Sequence, residues 1–191
     1  MKSITLAGKH VELRSVREED IERVRQWRNS PAINQYFIWR GHITPDGQQD
    51  WFRRISESEN DYFFVIWCAG RPVGLTEIKN IDWVRSEGEG GTFIADEMDR
   101  NSHVSFESFV LLSDFVFYRL GLRTRTARVL TANRRALRYN LGLGYREVRR
   151  ELIQTPAGEM EVAFLELTEA DYRAQARKIK RLIGDGSADP P

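Results

Sequence analysis

Thiols and imidazoles are scarce in this sequence of 191 residues, which has one cysteine and three histidines. Cys68 alone cannot close an internal disulfide, and its place in the apolar run YFFVIWCAG (62–70) reads as a packed strand residue rather than a nucleophile. His10, His42 and His103 are scattered singly without ligand spacing, so metal chemistry finds no support. Long apolar runs are missing as well. No stretch approaches the roughly 18 consecutive apolar residues of a membrane span, and MKSITLAGKHVELR lacks the apolar segment of a secretory signal. The expectation is a cytoplasmic protein with no membrane partner. Lysine is the last scarcity, five residues against 24 arginines.

The remaining composition, 41% hydrophobic and 30% charged, is that of a chain able to bury one core. We expect a single domain over 1–185 and a disordered tail over 186–191. The net charge of +1 hides an uneven spread: residues 87–114 carry seven acids and one arginine, whereas 119–150 carry ten arginines and one glutamate. Such a basic block suits phosphate oxygens, on a cofactor or a nucleic acid, and genome composition explains it equally well.

Hydrophobic periodicity orders the elements. VELRSV (11–16) alternates as a half-buried strand, and Ile21, Val24 and Trp27 repeat at helical spacing until Pro31. Thr44 and Pro45 open a second helix, with an aromatic, irregular loop at 31–43 between the two. YFFVIWCAG, VGLTEIKNIDWV and GEGGTFIAD form an antiparallel meander, and 104–120 is apolar all round, a central helix that Gly121 ends. RTARVLTA is a strand; Asn133 caps a short helix closed by Gly144; YREVRRELI and EMEVAFLELT make a hairpin around PAG; Thr168 caps the last helix. The long and short helices should each return the chain to pair with a preceding strand. The fold class is α+β, a mixed, mostly antiparallel sheet of about seven strands with helices on both faces.

Over about residues 10–168 the chain resembles the GNAT superfamily of acyl-CoA-dependent N-acyltransferases. The resemblance rests on TANRRALRYNLGLGYREV, with Asn133, Leu143, Gly144 and Tyr145 in the expected places. WRNSPAINQYF followed by ITPDGQQDWF is similar to the branch that acetylates nucleotide-linked aminosugars of surface glycans, and to the ribosomal-protein branch. The resemblance implies acetyl-CoA as co-substrate and a small-molecule amine as acceptor, and leaves a homodimer open. It also implies that Phe93, Ile94 and Ala95, in GGTFIAD, pair with the pantetheine arm, and that the following turn grips the pyrophosphate at a helix N-terminus. That turn usually fits Q/R-x-x-G-x-G/A; counted back from Glu107 it is here Arg100, Asn101, Ser102, His103, Val104 and Ser105, followed by Phe106, with Asn133 close by. His103 stands where the first glycine belongs. A modified cradle in which His103 touches phosphate, a cradle rearranged for another acyl donor, and a fold that has lost its donor all remain open.

Acyl transfer to an amine needs a neutral amine, a polarised thioester carbonyl and a proton for the thiolate. By resemblance, a backbone N–H at Ile94 or its neighbour polarises the carbonyl. The proton donor is commonly a tyrosine where this chain has Asn140, a poor acid, with Tyr139 one position before it and turned about 100° away on a helix. Glu77 is our candidate base, Glu89 the second choice, and a solvated strand carboxylate the plain alternative. The resemblance also implies an acceptor pocket around the helix-to-helix loop, with Arg28, Asn29, His42 and Gln48 as substrate contacts; a surface position for Arg28 and a helix C-cap at Asn29 are the plain alternatives. The leading reading is a small-molecule N-acetyltransferase. A non-catalytic module of the same fold is the alternative. Nucleic-acid binding through 119–150 is disfavoured because no aromatic stacking platform accompanies the arginines.

Overall fold

The computed structural model describes residues 3–100, 102–156 and 158–184. The tail expected over 186–191 and the candidate Asn101 lie outside them. Among the described residues one sheet of eight strands runs in the order β1-β2-β3-β4-β5-β6-β8-β7. The strands are β1 Thr5–Ala7, β2 Val11–Ser15, β3 Tyr62–Cys68, β4 Arg71–Asp82, β5 Glu87–Ile94, β6 Thr124–Leu130, β7 Arg146–Thr155 and β8 Gly158–Thr168. All neighbours are antiparallel except β5 and β6. The helices are α1 Ile21–Asn29, α2 Pro31–Asn34, α3 Pro45–Glu57, α4 Glu97–Arg100, α5 His103–Asp114, α6 Arg134–Gly142 and α7 Glu169–Leu182. None is long and apolar enough to cross a membrane, among the described residues.

The local signals hold where a side chain meets its own backbone. Thr44 accepts from the Gly47 N–H at 3.1 Å, Asn133 from Ala136 at 3.1 Å and Thr168 from Asp171 at 3.1 Å, which starts α3, α6 and α7 where the sequence places them. Gly121 and Gly144 lie just past the ends of helical segments at φ +72° and +101°, a region that side-chain-bearing residues avoid.

Three expectations need correction. The eighth strand, β1, is three residues long, too short to show alternation; the Gly8 N–H to Val11 C=O bond of 2.8 Å closes its hairpin with β2. The helix expected over 104–120 is α5 followed by a π turn, Phe115–Arg119, in which the Leu120 N–H reaches back to Phe115 at 2.9 Å. This turn carries three consecutive residues, Phe115, Val116 and Phe117, into the core. Finally, α6 does not return the chain to pair with β6. β8 takes that place and β7 becomes the edge strand. Burial decides the order: β8 buries Val162, Ala163, Leu165 and Leu167, whereas nearly every residue of β7 is exposed, and its charged side chains suit an edge.

Two apolar clusters lie on the two faces of the sheet. One face packs Leu13, Phe64, Ile66, Ile78, Leu165 and Leu167 against α5 and α7, with Tyr172 at its centre. The other packs Val65 and Leu75 against Val24 of α1 and Ile55 of α3, flanked by Trp27, Trp51 and Phe93.

Candidate active site

The site begins where β5 leaves β6. Glu87, Gly88 and Glu89 pair with Thr124, Arg125 and Thr126, and the described register stops there, while β5 stays paired with β4 as far as Ile94. The Ala95 N–H donates to the Val73 carbonyl of β4 at 2.8 Å. Alternation along an antiparallel strand therefore turns the main-chain groups of Ile94 and Thr92 to the other side, into the gap that opens toward β6. Gly90 sits at the apex of that gap. A Cβ there would stand 2.2 Å from Nε of Arg125, whose buried guanidinium packs beneath the strand and donates to Ser113 Oγ at 3.0 Å.

Beyond β5, α4 and the first turn of α5 close the end of the gap. Ser102 caps α5 by accepting from the Val104 N–H at 3.2 Å, and the Ser105 hydroxyl donates to the Arg100 carbonyl at 3.2 Å. The other first-turn N–H groups of α5 leave an end suited to an anion. Arg100 does not project outward. Its Nε donates to the Ile94 carbonyl and its Nη2 to the Ala95 carbonyl, each at 2.9 Å. The acids of this loop are partly neutralised by Arg71, 2.8 Å from Asp99 and 3.9 Å from Asp96.

His103 answers the question that its side chain raises. Its backbone is not among the positive-φ residues, so no strain attaches to the missing glycine. Its ring is exposed and meets the His10 ring edge-on at 4.9 Å. His103 thus shares the side of α5 that bears Glu107, whose Oε1 accepts from the His10 N–H at 2.9 Å.

Across the gap, α6 contributes Tyr139, not Asn140, to this junction. The Tyr139 hydroxyl donates to the Ser105 carbonyl at 2.8 Å, and its ring lies 5.6 Å from that of Phe106. Burial pushes its pKa well above the usual tyrosine range, so the phenol keeps its proton. The Asn140 amide donates to its own helix, at Ala136, at 2.8 Å.

On the sheet face carrying α1 and α3, Glu77, Lys79 and Glu89 stand together, since Glu77 pairs with Gly91 and Lys79 with Glu89 across the strands. Lys79 binds Glu77 directly and lies 3.6 Å from Glu89, which Arg128 approaches at 3.0 Å. Burial alone would lower the pKa of Lys79, but the Glu77 and Glu89 charges outweigh it and hold the ammonium above its ordinary range. Glu77 is therefore a carboxylate with one oxygen committed to a cation and the other left for further contact.

Next to this array, Arg28 lays its guanidinium 3.4 Å from the centre of the Phe37 ring, which meets Phe93 at 5.9 Å; Trp27 reaches Phe93 from the other side at 6.2 Å. Burial lowers the pKa of Arg28, partly offset by the charge of Glu77. Asn29 clamps the loop: its amide donates to the Ile43 carbonyl at 2.8 Å and accepts from the Ile43 N–H at 2.9 Å. His42 is exposed beside that clamp, and Gln48 is buried in the first turns of α3.

The structure thus gathers Glu77, Phe93 and Arg28 on one side of β5's open end, and Ser102, Ser105 and Tyr139 at its far end. Asn29 holds the loop at Ile43, and Gln48 is buried within α3. Sequence reasoning missed Lys79, Phe37 and the contact of Tyr139. Two-residue spacing from Glu77 on one strand was the available signal for Lys79.

The comparisons bear on the family and the fold. The model of the acetyltransferase (GNAT) domain matches residues 10–146. No curated protein sequence matches the chain. Among solved structures, a GCN5-related N-acetyltransferase from Brucella melitensis aligns with a TM-score of 0.80 at 15% identity, covering 99% of this chain and 89% of that one. The spermidine N-acetyltransferase from Vibrio cholerae, in complex with CoA and spermine, aligns at 0.78 and 16% identity, covering 86% of this chain and 99% of that one. At such identities these likenesses speak for the fold, whereas the domain match spans well over half of the chain: it belongs to the GNAT acetyltransferase family, whose acyl donor is acetyl-CoA.

Proposed function

We propose that this N-acetyltransferase acetylates the amine of a small molecule, and that the acceptor is an aminosugar carried on a nucleotide in a surface-glycan pathway of the cytoplasm. One observation carries the reading: β5 parts from β6 after Glu89 and opens the main-chain edge of Thr92 and Ile94 beside Glu77 and an aromatic cluster. The residues fit the donor. A strand edge that parts from its neighbour, with the Ile94 carbonyl held by Arg100 and the Ile94 N–H turned to the gap, suits an amide-bearing arm, and a capped helix end suits a diphosphate. Bound there, acetyl-CoA supplies an acetyl thioester and a readily departing thiolate.

The chain's own groups then divide the work. The Ile94 N–H is placed to stabilise negative charge on a carbonyl oxygen. Glu77 takes the proton of the acceptor amine, directly or through a water, with its free oxygen, while Lys79 holds the other oxygen in place. Asn140 and Tyr139 are both unfit as acids at neutral pH, the first by chemistry and the second by its raised pKa, so water protonates the thiolate. Tyr36 and Trp39, exposed on the loop above Phe37, offer faces on which a sugar or base can stack.

A polyamine acceptor is the second reading, favoured by the Vibrio cholerae neighbour named above. Thiol release from acetyl-CoA, measured over a panel of aminosugars, polyamines and peptides, separates the two. Glu77→Gln should lower kcat/KM by about 100-fold or more, the usual contribution of a positioned base. A change within about threefold would remove Glu77 from that role.

A further inference from the structure

We infer that the acceptor carries an oxyanion, a carboxylate or a phosphate, in addition to its amine, and that the Arg28 guanidinium is its seat. The inference rests on the acetyltransferase reading above and narrows the substrate class.

Arg28 is the last basic residue of α1, and its guanidinium is covered on one face by the Phe37 ring. Its Nε is buried without a hydrogen-bond partner, and no carboxylate lies within salt-bridge distance of it among the described residues. Other arginines of this region are neutralised at short range: Arg25 binds Glu22 at 2.7 Å, and Arg14 binds Glu12 at 2.7 Å. The carboxylate whose charge does reach Arg28 is Glu77, and Glu77 is held by Lys79. A second source of compensation, Glu89, is shared between Lys79 and Arg128. Within this array, among the described residues, three cations, Arg28, Lys79 and Arg128, thus share two carboxylates, Glu77 and Glu89, which leaves one positive charge unmatched.

A desolvated guanidinium without its counter-charge is costly, and an oxyanion in its fork relieves that cost. Removing water also strengthens the attraction. Arg28 lies one aromatic ring away from Phe93, so a bound oxyanion sits within a small molecule's length of the open β5 edge. The same excess charge opposes a polycation. A polyamine would bring further ammonium groups against Arg28, Lys79 and Arg128, with Glu89 shared between two cations and one oxygen of Glu77 already bound to Lys79.

The test compares matched acceptors on the full-length protein: glucosamine against glucosamine 6-phosphate, tyramine against tyrosine, and spermidine. Wild type should favour the anionic member of at least one pair by about 10- to 100-fold in kcat/KM, mainly through KM, as charge-assisted hydrogen bonds to a ligand do. Which pair responds distinguishes phosphate from carboxylate. Arg28→Gln should bring that anionic acceptor down to the level of its neutral partner, and Arg28→Lys should restore only part of the preference, because a point charge lacks the fork. Equal use of both members of each pair, preference for spermidine, or a preference that survives in Arg28→Gln overturns the inference. Calorimetry keeps the two readings apart. If no acceptor is turned over and acetyl-CoA does not bind, the enzyme reading fails; binding of glucosamine 6-phosphate or tyrosine to wild type but not to Arg28→Gln still upholds the oxyanion seat, and its absence with both ligands sinks it.

Discussion

Replacing Arg100 by alanine separates two roles that its position allows. In the structure its guanidinium closes on the carbonyls of Ile94 and Ala95, and so fixes the end of β5 against the first turn of α5. Bonds from a charged donor contribute about 1.5–3 kcal/mol each when well buried. These carbonyls are partly exposed and water replaces a lost donor, so about 1–3 kcal/mol for the pair is the reasonable range. If donor binding requires the ordered strand end, that range weakens affinity by about 5- to 150-fold. Calorimetric titration with acetyl-CoA, and in parallel with acetyl-pantetheine, which lacks the phosphates, tells how the loss arises. Shaping of the strand end predicts the same factor for both ligands. A phosphate contact predicts a loss for acetyl-CoA alone, together with a steeper fall of wild-type affinity as salt is raised. Wild-type affinity for acetyl-pantetheine in Arg100→Ala, alongside lost affinity for acetyl-CoA, refutes the bracing argument.

Two further predictions follow from single contacts. His103→Gly should alter acetyl-CoA affinity by less than about threefold, because the ring is turned to His10, and should lower stability by up to about 1 kcal/mol through helix propensity; tightening of more than tenfold in calorimetry would mean that the ring had obstructed the donor. Tyr172 is fully buried and donates to Asp114 Oδ1 at 2.7 Å, and burial holds its pKa far above the ordinary tyrosine value. Its contribution is therefore fully present below about pH 10 and is lost as pH rises beyond that value, because the unfolded chain ionises there while the folded protein resists. Melting temperatures should fall above about pH 10 in wild type, and less steeply in Tyr172→Phe, which starts lower by about 1–3 kcal/mol for the lost bond. Identical alkaline slopes in the two proteins would contradict the assignment.

What the sequence discloses is largely what short range decides. Thr44, Asn133 and Thr168 cap their helices because each side chain meets an N–H three residues away, and Gly144 adopts φ +101° because the chain must turn there. The order of β7 and β8 escapes such reasoning, since both strands read as strands and only competition for the buried place beside β6 sorts them. The candidate site divides in the same way. That Ile94 should present its N–H to the gap follows from strand parity once Ala95 is seen to pair with Val73, and GGTFIAD already marks the strand. Arg100 is different: its six-residue reach back to the Ile94 carbonyl depends on α4 reversing the chain, and nothing in a motif count distinguishes an arginine that awaits phosphate from one that fastens a strand. Arg28 illustrates the same limit from the other side. Its residue type suggested a ligand, but what makes it a candidate seat is the set of neighbours that do not neutralise it, because Lys79, absent from the motif, has already taken Glu77. Charge left over after every local pair is formed is a property of the folded array, and it is this remainder, not the arginine itself, that carries the specificity argument.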